Sequence, residues 1–362
     1  MSKLNAALID RLRLRWVPLL LAVGLNGCSS YYGQLAQGQL ELLRARQPVA
    51  ALIADESRDQ ALRQRLDQAQ QARDFASSAL GLPDNGSYRL YADLQRPYVV
   101  WNLFATEEFS VEPLQHCFPI AGCVAYRGYY RQGAARGAAA RLQAKGLDTL
   151  VAGVEAYSTL GWFDDPLLNT MLRRNDEQLA GLIFHELAHQ QLYLPGDTAF
   201  NESYASFVER EGLRQWQASR GLPEQAAQAR ARYRQLVELL LATRERLAEL
   251  YASPRSKEEL RQLKQAEFMR LRQAYRTLRD TQWGGDRRFD RWFAQPLNNA
   301  TLVPFGLYDR WVAAFSALFE ECERDWQRFH TEVAALAKRP ADEREARLTQ
   351  LLGQTGEAAN RL

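Results

Sequence analysis

The sequence has little histidine, little cysteine and almost no charge imbalance once its amino terminus is set aside. Its 362 residues include only 4 histidines and 4 cysteines. The formal charge of +3 arises within the first 27 residues, and the remainder holds 42 basic and 42 acidic side chains. Because nucleic-acid binding requires a basic surface, a chain this close to neutral gives no support for that class of function.

The amino terminus has an apolar run, but a short one. Residues 16–25 are apolar and follow four basic side chains. Such a run is too short to span a bilayer and is typical of a signal peptide, here residues 1–27. The full sequence is 46% hydrophobic and 10% aromatic, which excludes a disordered protein and allows a large core.

The end of this leader, Leu25-Asn26-Gly27-Cys28, resembles a bacterial lipobox. The resemblance implies cleavage after Gly27 and lipidation of Cys28, and several acyl chains on one residue give stable anchoring. Serine rather than aspartate after the cysteine favours the outer membrane in this class. The alternative is an ordinary secretory signal with a chance cysteine. We therefore expect an outer-membrane lipoprotein of the bacterial envelope that faces the periplasm.

An exported protein meets an oxidising compartment, so its other cysteines are candidates for a disulfide before they are candidates for metal ligands. Cys117 and Cys123 enclose a short, turn-rich segment. A bridge between them would contribute roughly 2 kcal/mol on loop entropy alone. Cys322 lies in a helical pattern without an evident mate and is predicted to be a buried thiol.

The pattern of residues predicts an α+β protein that is mainly helical. Residues 47–80 have apolar positions at helical spacing, and beyond residue 171 the pattern is almost entirely helical. Aromatic and β-branched runs predict strands upstream of residue 171. The predicted strands are residues 87–93, 98–104, 123–130 and 149–157, with a helix at about 134–145 before the last of them.

Two charge-rich amphipathic stretches, residues 222–250 and 257–281, predict a helical hairpin with its turn at residues 251–256. A packed or projecting hairpin is the plain interpretation, and a partner-binding arm is the alternative. We expect a loop at 296–301, a helix over about 307–329 and a polar tail. The predicted divisions are the signal peptide at 1–27, a helical segment at 28–86, a catalytic core at 87–220, the hairpin at 221–285 and a C-terminal helical part at 286–362.

The candidate metal ligands and the candidate catalytic base lie in the segment GLIFHELAHQQLY, residues 181–193. Residues four apart share a helix face, so His185 and His189 can direct both imidazoles at one point, whereas Glu186 is turned about 100° away. In an H-E-x-x-H site two neutral nitrogens hold zinc and the glutamate is the base for a water molecule. The helix is apolar on several sides, and its buried polar groups need a partner that a metal ion would supply.

The downstream segment FNESYASFVE, residues 200–209, resembles the glutamate helix of gluzincin metallopeptidases, in particular the N-E-x-x-A run of the aminopeptidase N family. The whole arrangement, including HCFPIAGCVAYRGYY at residues 116–130, resembles a family of bacterial lipoproteins described as predicted aminopeptidases. The resemblance implies Glu202 as the third zinc ligand, with a solvated helix glutamate as the alternative. Only 12 residues separate His189 from Glu202, fewer than in larger gluzincins.

Further roles are predicted for three residues. Glu209, two helical turns after Glu202, would orient a ligand through a hydrogen bond or else be a surface carboxylate. Residues 149–157 would be the edge strand that binds the substrate backbone, and the resemblance implies Glu155 as the group that holds the free amino terminus. Tyr308 is our choice for the oxyanion donor, with core packing as the alternative. His116 and His330 are interpreted as ordinary histidines.

Together these features predict a zincin-like core with a small mixed sheet, a histidine helix, a glutamate helix and a long helical hairpin. The predicted function is that of a zinc-dependent aminopeptidase acting on short peptides in the bacterial periplasm. Zn²⁺ on His185, His189 and Glu202 would polarise the carbonyl, and Glu186 would activate the water. The alternatives are an envelope endopeptidase or peptidoglycan-peptide hydrolase, and a non-catalytic helical envelope lipoprotein with a structural metal. The expected partners are peptides and, through the lipid, a membrane.

Overall fold

The computed structural model describes residues 31–118, 122–156, 159–221 and 226–359. The chain divides into two compact units, Met1–Arg46 and Gln47–Leu362. In the first unit, residues 31–44 form a helix, α1. The predicted signal peptide and Cys28 lie outside the described residues. Among the helices that are described, none combines the length and the apolar character that a membrane crossing needs.

The strands in the described residues are short and precede the histidine motif, as predicted. They are β1 (Arg46–Pro48), β2 (Leu90–Ala92), β3 (Val100–Thr106), β4 (His116–Phe118), β5 (Gly122–Val124), β6 (Arg127–Tyr129), β7 (Asp148–Val154) and β8 (Leu167–Leu168). One sheet has the order β1-β2-β8, with β2 parallel to β8. A second has the order β6-β3-β7 and is antiparallel, and β4 pairs with β5 as a separate hairpin.

Helices make up most of the larger unit. They are α2 (Val49–Ala54), α3 (Gln60–Ser78), α4 (Gln132–Gln143), α5 (Asp176–Gln191), α6 (Thr198–Ser219), α7 (Ala226–Ala252), α8 (Lys257–Thr281), α9 (Asp290–Ala294), α10 (Asn299–Tyr308), α11 (Val312–Glu321), α12 (Trp326–Ala337) and α13 (Ala341–Ala359). The content of 61% helix and 10% strand confirms the α+β, mainly helical class. The one small mixed sheet that was expected is instead divided into separate small sheets.

Several predicted boundaries are wrong for local reasons. The helix expected over residues 47–80 is broken after α2, because Asp55 accepts hydrogen bonds from the Ser57 backbone and hydroxyl and Asp59 then caps α3 through the Leu62 N–H. The single strand expected at 123–130 is two strands, β5 and β6. The hydrogen bonds that the Asp55 and Asp59 side chains accept compete with the continuation of a helix.

The helix expected over residues 307–329 is also wrong. Asn298 caps α10 in a capping box with Thr301, so this helix begins where a loop was expected and ends at Tyr308. Two further helices, α11 and α12, follow, and the connection between them holds Glu323 and Arg324 at φ of 57° and 60°. The expected polar tail contains the helix α13.

The predicted helical hairpin is present as α7 and α8, although residues 222–225 lie outside the described parts. Ser256 starts α8 with a capping box to Glu259. The hairpin packs against the rest of the larger unit rather than projecting from it, since one apolar cluster joins its two helices to α9 and α10. This cluster includes Val111, Leu236, Leu240, Leu247, Phe268, Leu271, Tyr275, Trp283, Phe293 and Leu302.

A tight connection places α6 against α5. Gly196 takes a left-handed φ of 87° in the turn, which glycine adopts without steric cost. The Asn201 side chain then accepts from the Leu194 N–H and donates to the Leu194 carbonyl, both at 2.8 Å. Farther along α6, a Cβ on Gly212 would lie 3.1 Å from the Phe184 ring of α5 and 2.6 Å from Leu80. The two helices therefore approach closely enough to share one site.

Candidate metal centre

Helix α5 carries the histidine motif in the interior of the protein. Asn175 and Gln178 form a capping box at its start, and Asp176 and Glu177 in the first turn suit the helix dipole. Leu179, Ile183, Phe184 and Leu187 around the motif are buried. So are its polar members: His185 is 7%, Glu186 6% and His189 8% exposed. Buried imidazoles and carboxylates require partners.

The two histidines and Glu202 meet at one point. His185 Nε2 lies 3.2 Å from His189 Nε2 and 3.4 Å from Glu202 Oε2, and His189 Nε2 lies 3.5 Å from the same Oε2. An ion with metal–ligand bonds of about 2.05 Å in tetrahedral geometry would place its ligand atoms about 3.3 Å apart. The three side chains thus outline one face of a tetrahedral coordination shell, and each offers one ligand atom.

The charges of these groups also favour a cation between them. Burial lowers the pKa of His185, but its interactions with Glu202 and Glu209 outweigh burial and raise that pKa to about 10. Burial raises the pKa of Glu202, but its interactions with His189 and His185 lower it to about 2. Glu202 Oε2 has no hydrogen-bond partner among the described residues. A metal ion would take over the positive charge that a proton supplies here.

Glu209 holds the far side of the His185 ring. Its Oε2 lies 3.1 Å from His185 Nδ1, which is the contact expected of a carboxylate that orients a metal-binding imidazole. The space for it exists because α5 has a glycine at position 181: a Cβ there would lie 3.2 Å from Glu209 Cγ. By contrast, His189 Nδ1 has no partner within the described part of the chain.

Glu186 is separate from this triangle, as its place on the helix requires. Burial raises its pKa and outweighs the opposing effect of His185 and His189, while the charges of Glu202 and Asp165 act in the same direction as burial. A buried carboxylate with a raised pKa is suited to accepting and returning a proton near neutral pH.

The structure places Tyr308 beside His185, whereas Glu155 is paired with an arginine. The Tyr308 ring stacks on the His185 ring, with centroids 6.2 Å apart, and burial followed by the Glu202 charge raises the pKa of its hydroxyl. Glu155 follows β7 and forms an ion pair with Arg174. Burial raises the pKa of Glu209, but its contact with His185 and then the charges of Arg210 and Arg174 lower it.

Among the described residues, the other histidines and cysteines do not belong to the candidate cluster of His185, His189 and Glu202. His330 bonds to the Tyr204 hydroxyl and the Leu80 carbonyl, each at 2.9 Å. Cys117 and Cys123 are joined by a disulfide across the β4–β5 hairpin. Cys322 is a free, buried thiol.

Sequence reasoning missed a polar network on the other side of α5. Gln190, four residues after Glu186, bonds to Ser87 and Asp165. Arg73, which is fully buried, donates to the carbonyls of Ser87 and two neighbouring residues. The spacing of Gln190 from Glu186 was the one available signal, since nothing local marks residues 73, 87 or 165.

The fold and the site define a mainly helical α+β protein with a buried candidate metal centre built from a His-Glu-x-x-His helix and a glutamate of the next helix. The chain belongs to the family described as "Putative aminopeptidase", which matches residues 30–348. No curated protein and no solved structure matches the chain. Family membership thus indicates peptide hydrolysis.

Proposed function

We propose that this protein is a zinc metallopeptidase that removes amino-terminal residues from short peptides in the bacterial periplasm. The observation that carries the proposal is the triangle of His185 Nε2, His189 Nε2 and Glu202 Oε2, with sides of 3.2 to 3.5 Å. In one class of catalytic zinc sites, the protein ligands are likewise two histidines and one glutamate. Glu202 Oε2 is buried and makes no hydrogen bond in the described structure, while both imidazoles lie 3.4 to 3.5 Å from it; this arrangement supports an ion between the three groups.

The site supplies three ligand side chains among the described residues, so a tetrahedral ion keeps one position for water or substrate. When bound, zinc would polarise the scissile carbonyl and lower the pKa of a water molecule, so that the water can give up a proton to Glu186 and attack the carbonyl. This count favours a catalytic ion over a structural one, because structural sites are usually closed by four protein ligands.

Glu186 is the proposed general base and acid. It lies on the same helix as two proposed ligands, about 100° around the axis from His185 and about 60° from His189. Its raised pKa lets it accept the water proton and then return it to the leaving amine. Tyr308, stacked beside His185, is the proposed donor to the oxyanion.

Strand β7 is the proposed site for the substrate backbone. It pairs with β3 along its full length, from Asp148 to Val154, and it is the outer strand of the order β6-β3-β7. An outer strand can bind an extended peptide through backbone hydrogen bonds. Asn298 already donates to the Thr149 carbonyl, so the peptide would bind beyond this residue, toward Gly153.

Exopeptidase specificity is the finer part of the proposal, with Glu155 as the anchor for the free amine. The Arg174–Glu155 ion pair favours a second candidate, an endopeptidase, because a carboxylate held by a guanidinium is less available to an amine. We also propose that a lipid on Cys28 attaches the protein to the outer membrane, facing the periplasm.

The test uses purified protein without its leader, loaded with zinc, on aminoacyl chromogenic substrates. We expect hydrolysis by the wild type, and loss of hydrolysis with retained zinc in Glu186→Gln. Retained hydrolysis in Glu186→Gln, or a wild type that neither binds zinc nor cleaves any peptide, would refute the metallopeptidase. Acetylation of the substrate amine decides between the specificities: an aminopeptidase loses activity, and an endopeptidase keeps it.

A further inference from the structure

Tyr88 is a buried tyrosine whose hydroxyl has no partner. The residue is 1% exposed, and no group in the described parts of the chain lies within hydrogen-bond reach of its Oη. Other buried tyrosines avoid this cost, since the Tyr204 hydroxyl bonds to His330 and the Tyr275 hydroxyl donates to Asp290. A buried hydroxyl without a partner is costly and calls for an explanation.

The backbone of Tyr88 is held in an unusual conformation. Its φ is +64°, a left-handed region that bulky side chains rarely occupy. The Tyr88 N–H donates to the Asp165 carbonyl at 2.6 Å, and its own carbonyl accepts from the Gln70 side chain at 2.7 Å. Arg73 donates to the preceding carbonyl, that of Ser87, at 3.0 Å. Such conformations persist where neighbours fix them, and they cluster at functional sites.

The same segment is attached to the face of α5 that carries Gln190 and Glu186. Gln190 donates to Ser87 Oγ and to Asp165 Oδ2, each at 3.1 Å. Gln190 and Glu186 are four residues apart, so their side chains lie on one face of the helix. Residues 87–88 and Asp165 therefore pack on the side of α5 that carries Glu186. The charge of Glu186, second to burial, helps raise the pKa of Tyr88, so the hydroxyl remains a proton donor.

We propose that Tyr88 is a positioning residue for Glu186: in the substrate-loaded site its hydroxyl donates a hydrogen bond to the Glu186 carboxylate, directly or through one ordered water. This bond would hold the carboxylate toward the attacking water. The inference rests on the proposed role of Glu186 as base. It also explains why the hydroxyl has no partner within the described protein, because its partner would adopt the bonded geometry only with water and peptide in place.

The test is Tyr88→Phe in the full mature protein loaded with zinc. We expect kcat to fall about tenfold or more, because a misaligned base loses part of its contribution, while KM and zinc content stay within twofold of wild type. The melting temperature should stay level or rise, since the substitution removes a buried hydroxyl without a partner. Lower activity in a protein that is no less stable separates positioning from a structural role.

Tyr275→Phe is the matched control. Its hydroxyl donates to Asp290 at 2.6 Å within the hairpin cluster, so we expect a lower melting temperature and an unchanged kcat. The inference is overturned if Tyr88→Phe keeps the wild-type kcat, or if its kcat falls only together with zinc content and melting temperature. Wild type and Glu186→Gln are assayed alongside: hydrolysis that depends on Glu186 keeps the proposed function standing whatever Tyr88→Phe does, and its absence refutes both.

Discussion

The contact between Glu209 and His185 gives a sharp prediction about metal affinity. The carboxylate lies 3.1 Å from the ring nitrogen that faces away from the proposed ion. It fixes the tautomer and the orientation of the imidazole and makes the other nitrogen a better ligand. Replacing Glu209 by alanine removes this support while leaving the three proposed ligands in place.

The structure sets the expected magnitude. Loss of such a partner typically reduces metal affinity 10- to 100-fold, or by about 1.4 to 2.8 kcal/mol. The Glu209 side chain is 36% exposed, so water screens part of the interaction. We therefore expect a loss of about tenfold in Glu209→Ala, and a smaller loss in Glu209→Gln, whose amide oxygen can still accept the imidazole proton.

The assay is competition for zinc with a chromophoric chelator at fixed pH. Glu211→Gln is the control, because Glu211 lies two residues farther along α6 and pairs with Arg214 instead; its zinc affinity should match wild type. An affinity in Glu209→Ala within twofold of wild type would show the reasoning to be wrong.

A second substitution displaces Glu209 without changing it. In Gly181→Ala, the new Cβ would lie 3.2 Å from Glu209 Cγ and 3.4 Å from its Oε1. Alanine stabilises a helix interior by about 1 kcal/mol relative to glycine. We expect the variant to bind zinc more weakly, although its metal-free form should be at least as stable as metal-free wild type. An unchanged zinc affinity would show that Glu209 does not depend on this space.

Other predictions concern stability. Arg73→Ala should lower the free energy of unfolding by about 3 kcal/mol, measured by urea denaturation, because it leaves the carbonyls that the fully buried guanidinium binds without a donor; a loss under 1 kcal/mol would contradict this. Lys264→Met should cost about 2 kcal/mol, since the Lys264 ammonium lies 2.6 Å from the Asp148 carboxylate, and Asp148→Asn in the same chain should restore part of it. Burial lowers the pKa of His330, so the unfolded chain binds a proton at this residue more readily than the folded protein does. The contribution of His330 to the free energy of unfolding is therefore complete above about pH 6.5 and is lost as the pH falls below that value. A His330→Asn variant should lose stability less steeply between pH 7 and 5, and equal slopes would disprove the assignment.

The local signals of the sequence were sufficient for the elements that carry the motif. The spacing of His185 and His189 predicted a shared helix face, and the resemblance of residues 200–209 to a glutamate helix implied that Glu202 would join them. The structure contains both helices, and their ligand atoms lie together. The hairpin α7–α8 and the upstream position of the described strands were predictable for the same reason: periodicity and turn residues act over a few positions of chain.

Tertiary contacts decided what sequence periodicity could not. One continuous helix was expected over residues 307–329, but the chain turns at Asp309, whose carboxylate pairs with Arg210 of α6 and accepts from Tyr233 of α7. No pattern in the segment itself reveals partners that lie 76 or more residues away. Helical propensity is a weak preference that such contacts override.

The sequence by itself determined the class of fold, the histidine helix and the set of residues able to bind a metal, because these depend on spacings within one helix or between neighbouring helices. Only the tertiary structure decided the surroundings of that site. The contact of Glu209 with His185, the ion pair of Glu155 with Arg174 and the attachment of Tyr88 to the face of Glu186 join residues 19 to 103 positions apart. Hydrogen bonds and packing act through space, so such pairs exist only once the chain has folded.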